Sequence, residues 1–144
     1  MELSVTHHID APIDRVWALQ LDHEHWPDHL PNFSRVVRQA PDEPFGVGSI
    51  ASVTQPALGT VEWTVTAFEE APERRSFSWV GASRGIRYAA SHLVEARPDG
   101  GTQLTLGITA TGTAITLLGW MLKGQMKKAV AAEAVAFEQW ATRG

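Results

Sequence analysis

Three side chains of the sequence have the types and positions that proton transfer requires. Tyr88 and His92 share the apolar phase of a strand-like run at 85–97, so they face the same side, roughly 13 Å apart along the strand. Glu133 falls within the apolar stripe of a C-terminal helix, where a carboxylate must be paired, hydrogen-bonded or neutral. A neutral carboxyl with a raised pKa is a candidate general acid or base. The sequence therefore predicts Tyr88, His92 and Glu133 as candidate catalytic residues.

Each of the three residues also has a purely structural interpretation, which the sequence leaves open. Tyr88 is equally compatible with a half-buried strand position whose hydroxyl reaches the rim. His92 is compatible with a core histidine that a neighbour satisfies, and Glu133 with a carboxylate that reaches solvent at the helix edge. The three residues form an acid/base set only if all of them face one cavity.

The histidines at positions 23, 25 and 29 invite a metal-binding interpretation. His25 and His29 have the i, i+4 spacing that places two imidazoles on one helical face. However, Pro27 lies between them and no HExxH motif occurs. We therefore expect a solvated helix-turn segment, and the sequence predicts neither a metal site nor a cofactor.

Composition narrows the class of protein. The chain has 144 residues, a net charge of −4 and no cysteine, which excludes disulfide scaffolds, zinc ribbons and thiol catalysis. An acidic balance argues against a nucleic-acid partner. The start of the sequence does not resemble a signal peptide, and the longest apolar stretch is too short for stable membrane insertion, so we expect one cytoplasmic domain. Six tryptophans indicate either a well-filled core or an aromatic-lined cavity.

The pattern along the chain is that of an α+β domain. A strand at 2–9 is followed by a short helix near 12–20 and a second, very short helix within 22–31. Alternating runs separated by Gly, Pro and Asp then predict six strands near 33–40, 48–55, 59–70, 75–81, 85–97 and 102–111. Short turns between successive strands imply an antiparallel meander. We expect a curved seven-stranded antiparallel sheet wrapped around a long C-terminal helix.

That helix is predicted to run for roughly 30 residues from Thr113. Its charged residues at 123, 127 and 138 fall opposite the apolar stripe. The stripe is low in volume at Ala129, Ala132 and Ala136, which leaves room for a cavity beneath the helix. The stripe comprises Ile115, Leu118, Leu122, Met126, Ala129, Ala136, Phe137 and Trp140.

Several short motifs resemble those of the START/SRPBCC superfamily. These are Ile9-Asp-Ala-Pro12, Val16-Trp17, Asp22 and Trp26-Pro27 in the first 30 residues, and the likeness extends over nearly the whole chain. The sequence is closest to the polyketide cyclase/dehydrase and lipid-transport branch. The resemblance implies the helix-grip fold, with a deep apolar cavity between the sheet and the C-terminal helix. It does not imply one activity, because the superfamily includes carriers, cyclases and dehydratases.

The resemblance and the strand phases together predict a ligand site. In the superfamily the segment around Trp26 forms part of the cavity mouth, and His29 stands where a second aromatic residue is common. The leading hypothesis is a module that binds an apolar or aromatic small molecule, lipid- or polyketide-like. The alternatives are a cyclase- or dehydratase-type enzyme that uses Tyr88, His92 or Glu133, and a protein-interaction module. The expected ligand-binding residues are Trp26, His29, Trp63, Trp79, Tyr88, His92, Leu106, Ile108, Leu122, Met126 and Ala129.

Overall fold

The computed structural model describes residues 1–143, which form one antiparallel sheet and three α-helices. The strands are β1 (Glu2–Ile9), β2 (Arg35–Arg38), β3 (Ile50–Gln55), β4 (Gly59–Glu70), β5 (Arg74–Ser83), β6 (Ile86–Ala96) and β7 (Thr102–Thr111). The helices are α1 (Ile13–Leu21), α2 (Trp26–His29) and α3 (Thr113–Thr142), with a 3-10 turn at His23–His25 between α1 and α2. The strand order in the sheet is β1-β7-β6-β5-β4-β3-β2.

This arrangement confirms the predicted fold class. From β2 to β7 each strand pairs with the next in sequence, and β1 closes the order by pairing with β7. Helix α3 packs against β1, β7 and β6, while the short helices lie between β1 and β2. The strand at 33–40 is shorter than predicted, because only Arg35–Arg38 pairs with β3.

The register of β6 fixes which residues face the helix. Tyr88 lies opposite Gly81 on β5 and Ala110 on β7, and His92 lies opposite Phe77 and Leu106. Tyr88 and His92 are both buried, as strand alternation requires for residues four positions apart on the covered face. Period-two alternation therefore determines the orientation of both candidates.

Five of the six tryptophans are buried, and the sixth, Trp120, is 80% exposed. Trp26 is fully buried, and its ring contacts those of Phe33, Trp79 and Phe137 at centroid distances of 5.3 to 5.9 Å. The aromatic residues thus fill one end of the space between the sheet and α3. Trp63 and Trp79 also line a cavity, so the two interpretations of the tryptophan content both hold in part.

The covered side of α3 differs from the predicted stripe at three residues. Leu118 is 47% exposed, and Ala132 is exposed as well. Glu138, predicted to face solvent, is only partly exposed and has its Oε1 3.1 Å from Nε2 of His7 on β1. At 100° per residue, Leu118 lies at one edge of the side that carries the buried Ile115 and Gly119, so hydropathy drew the covered stripe too wide there.

Candidate functional site

A cavity of about 380 Å³ lies between the inner face of the sheet and α3. Its exposed lining residues are Pro56, Ala57, Arg84 and Gln125, so the mouth opens where the β3–β4 and β5–β6 turns approach the middle of α3. The interior is mainly apolar. Its lining includes ten of the eleven residues expected to bind ligand, namely Trp26, Trp63, Trp79, Tyr88, His92, Leu106, Ile108, Leu122, Met126 and Ala129.

His92 lies at the inner end of the cavity, where one hydrogen bond and two stacked rings contact it. Its Nδ1 lies 2.8 Å from Oε1 of the buried Gln20, so Nδ1–H donates and Nε2 keeps its lone pair. The imidazole stacks on Phe77 with a centroid distance of 4.6 Å and on Trp26 at 5.3 Å. Burial lowers the pKa of His92 to about 3. The ring is therefore neutral at physiological pH and can accept a hydrogen bond from a bound molecule.

Glu133 lines the same cavity from α3. Within residues 1–143, the side chain of Glu133 has neither an ion-pair partner nor a hydrogen-bond partner. Burial raises its pKa from 4.5 to about 8. Part of the residue remains accessible, which is consistent with a desolvated carboxyl group that borders an internal space. At neutral pH the carboxyl is protonated and can donate one hydrogen bond into the cavity.

Tyr88 adds a phenol to the lining, nearer the mouth than His92. Its ring lies 6.1 Å from that of Trp63, and burial raises its pKa although the nearby Arg84 acts in the opposite direction. The phenol therefore stays protonated at physiological pH. Tyr88, His92 and Glu133 share one cavity, but within the described chain no hydrogen bond joins any two of them.

His29 is the one expected ligand residue that the structure places elsewhere. It is exposed, and its ring stacks on Trp140 of α3 with a centroid distance of 4.1 Å and an interplanar angle of 10°. The single turn of α2 directs Trp26 toward the sheet, whereas His29 lies along a shallow outer groove with Ala132 and Ala136. The expectation that His29 lies at the cavity mouth is therefore corrected. The small residues at 132 and 136 contribute to this outer groove and not to the cavity.

The histidine segment is also only partly solvated, contrary to the prediction. His25 is exposed and has its Nδ1 2.7 Å from Oδ1 of Asp22, which raises the pKa of His25. His23, in contrast, is buried among Trp26, Phe45, Phe77 and Trp79, with ring centroids 4.5 to 5.7 Å away. Burial lowers the pKa of His23 to about 3, and repulsion between a protonated His23 and the positive charges that His92 and Arg38 can carry acts in the same direction. His23 is therefore a neutral core residue.

Several lining residues were not anticipated from the sequence. Asn32 donates a hydrogen bond from Nδ2 to the carbonyl of Ala129 at 3.2 Å, which ties the segment after α2 to α3 beside the cavity. Arg84 and Gln125 place polar groups at the mouth. Gln125 lies three residues after Leu122, so helical spacing was a usable signal for it. Arg84 lies in the β5–β6 turn, where its φ of 55° is unusual for a residue other than glycine.

With this geometry established, the chain can be compared with known proteins. The family described as polyketide cyclase / dehydrase and lipid transport matches residues 1–138. The chain belongs to this family. The match supports the START/SRPBCC resemblance of the sequence motifs, and a comparison with curated proteins gave no significant match.

Solved structures show the same fold as this member of the polyketide cyclase / dehydrase and lipid transport family. Hypothetical protein jhp0584 from Helicobacter pylori superposes with a TM-score of 0.85 at 14% identity, over 97% of this chain and 86% of that chain. The Zhui aromatase/cyclase from Streptomyces sp. R1128 gives 0.77 at 18% identity, over 99% and 94%. A START superfamily protein from Mycobacterium smegmatis gives 0.74 at 14% identity, over 97% and 96%. At these identities the likeness establishes the helix-grip fold alone.

Proposed function

We propose that the protein binds a neutral apolar or aromatic small molecule, lipid- or polyketide-like, in the cavity between the sheet and α3. The observation that carries the proposal is the cavity itself, which is apolar over most of its lining and offers few polar groups. A protein-interaction role is less well supported, because we would expect it if the sheet and α3 packed together without a cavity between them. The cytoplasmic location and the absence of a nucleic-acid partner, both expected from the sequence, stay predictions.

The polar groups of the cavity indicate how such a ligand would be oriented. The protonated Glu133 donates a hydrogen bond to a carbonyl or hydroxyl oxygen, and Nε2 of His92 accepts one from a hydroxyl group. Both groups are uncharged at neutral pH, so a charged group on a ligand would have no counter-ion beside Glu133 and His92, and the cationic Arg84 lies only at the mouth. The proposed ligand is therefore a largely apolar molecule with one or two oxygen functions.

Cavity binding can be tested with Nile red as a neutral fluorescent probe and two matched variants of α3. Ala129→Trp places an indole in the cavity, whereas Ala132→Trp places the same group on the exposed side of the same helix. We expect loss of probe binding only in Ala129→Trp. If Ala129→Trp does not fold, the pair Ala90→Leu, in the lining, and Ala89→Leu, exposed on β6, makes the same comparison. Equal probe binding by all lining variants and the wild type would refute the proposal.

A second candidate function is a dehydratase or cyclase reaction, favoured by the unpaired carboxyl of Glu133. A general acid is most effective when its pKa is near the working pH, and the pKa of about 8 satisfies this condition. In a dehydration, Glu133 would protonate the departing hydroxyl group, which leaves as water. Nε2 of His92 would take the proton from the adjacent carbon, although a pKa of about 3 makes His92 a weak base.

The enzymatic candidate is tested by Glu133→Gln with a β-hydroxy carbonyl compound as substrate. If Glu133 is the general acid, turnover falls by about 10²–10⁴-fold while ligand affinity changes little. If Glu133 only positions a ligand, affinity changes by a few-fold and no reaction is lost. Native mass spectrometry of protein purified from its own host, which detects a retained small molecule, would identify the compound to assay.

A further inference from the structure

The first half of α3 exposes a group of large apolar side chains to solvent. Leu117 is 67% exposed, Trp120 80% and Met121 55%, and Leu118 beside them is 47% exposed. The first three have i, i+3, i+4 spacing, so they share one side of the helix. The opposite side is covered, since Ile115 and Gly119 are buried and Leu122 and Met126 line the cavity. We call the four exposed residues the α3 apolar face.

Positive charge is concentrated next to this face. The three lysines of the sequence, Lys123, Lys127 and Lys128, all lie in α3 within seven residues after Met121, and all are exposed. Residues 113–132 contain no Asp or Glu, although the whole chain has a net charge of −4. At 100° per residue, Lys128 falls on the same side of the helix as Leu117. A locally cationic helix in an acidic protein is a specific feature that solubility alone does not explain.

We propose that the α3 apolar face, together with these lysines, docks the protein on an anionic lipid surface. A helix that lies in a membrane interface places Trp and Leu among the acyl chains and Lys beside acidic headgroups. Within residues 1–143 no helix is long and apolar enough to cross a membrane. The charge also distinguishes the occupant, because a two-fold symmetric contact with a second copy would bring the same cationic lysines together.

Docking would bring the cavity mouth to the membrane. Leu122 and Met126 line the cavity from the opposite side of α3, but Gln125 at the mouth is exposed and falls within about 20° of Leu118 around the helix axis. An apolar molecule could then pass between the bilayer and the cavity without crossing bulk water. Docking itself rests only on surface residues, whereas this consequence for ligand exchange rests on the proposed function.

The docking proposal is tested by flotation with phosphatidylcholine vesicles and with mixed phosphatidylcholine–phosphatidylserine vesicles. We expect binding only to the mixed vesicles, and its loss in 1 M salt, where the screening length is about 3 Å. Lys127→Gln/Lys128→Gln should weaken binding roughly 30-fold. The control Arg35→Gln/Arg87→Gln removes two exposed charges elsewhere and should have a much smaller effect.

The apolar contribution has its own matched pair. Trp120→Ser should weaken vesicle binding roughly tenfold or more, whereas Val47→Ser, at a residue that is 69% exposed but remote from α3 in sequence, should leave it unchanged. No binding of the wild type to mixed vesicles, or equal losses in both variants, would overturn the proposal. So would a fall in oligomeric mass with Trp120→Ser in sedimentation, because the face would then join two copies of the chain. Nile red binding in solution distinguishes the two proposals, since Trp120→Ser should retain it.

Discussion

Glu133 makes the stability of the fold depend on pH in a direction that is unusual for a carboxylate. Its pKa is about 8 in the folded state against 4.5 for a free side chain. Between these values the folded protein keeps a proton that the unfolded chain has released, so the free energy of unfolding falls as pH rises. The slope is about 1.4 kcal/mol per pH unit, which gives about 3 kcal/mol between about pH 5 and pH 7. This is an upper limit, because the carboxyl group borders a cavity that can admit water.

The variant Glu133→Gln isolates this contribution. The amide does not titrate. The free energy of unfolding of the variant minus that of the wild type should therefore be smallest near pH 5 and should rise up to about pH 8. His23 and His92, whose pKa values are lowered to about 3, destabilise both proteins equally below about pH 6.5 and cancel in the difference. The measurement is urea-induced unfolding of both proteins over this pH range, analysed as the difference in unfolding free energy.

A control and a refuting result complete the test. Glu73→Gln changes an exposed carboxylate in the β4–β5 turn and should give a difference that is nearly flat with pH. If the Glu133→Gln difference were also flat, or if the wild type gained stability relative to it as pH rises, Glu133 would be ionised in the fold. The general-acid role and the proposed hydrogen bond to a ligand oxygen would both then fail.

Three further predictions follow from side chains outside the cavity. His23→Phe should make the unfolding free energy less sensitive to acid below about pH 6.5, because the unfolded chain then has no His23 side chain to bind a proton that the folded state excludes. Urea unfolding measures this, and an unchanged slope would contradict it. Gly81→Ala should cost about 1–3 kcal/mol, since the new Cβ would lie 2.6 Å from a valine methyl carbon on β4, whereas Gly46→Ala has open space and should be nearly neutral in the same assay. His29→Ala should cost about 0.5–1.5 kcal/mol through loss of the stack on Trp140 but leave Nile red binding unchanged; a loss of probe binding would return His29 to the ligand site.

The sheet was predictable because alternation and turn residues act locally. A shift of one residue would move every side chain of a strand to the other face, so the apolar phase of β6 fixed the orientation of Tyr88 and His92. Alternation also placed Trp63, Leu106 and Ile108 in the lining. These residues needed no knowledge of distant contacts.

The helix and the segment after α1 were less predictable, because their environment comes from distant parts of the chain. Hydropathy assigned Leu118 to the covered side of α3, but the residue lies at the edge of that side and is 47% exposed. His23 looked solvated in a polar segment, yet Phe77 and Trp79 of β5, more than fifty residues away, cover its ring. The position of the His29 side chain depends on the direction of a single helical turn, and four residues are too few for any periodicity to predict that direction.

The buried polar groups of the cavity also explain why sequence patterns could not choose between carrier and enzyme. Orientation brought Tyr88, His92 and Glu133 into one lining, but catalysis depends on where a substrate lies between them. Burial has opposite effects on the two groups, since it weakens His92 as a base while keeping Glu133 protonated as an acid. A carrier needs only neutral hydrogen-bonding groups, and both residues satisfy that need. An enzyme needs a proton acceptor as well, and a ligand that hydrogen-bonds to Nε2 of His92 would have to raise the basicity of a ring whose pKa is about 3. On this ground binding is the function that the cavity supports with fewer conditions.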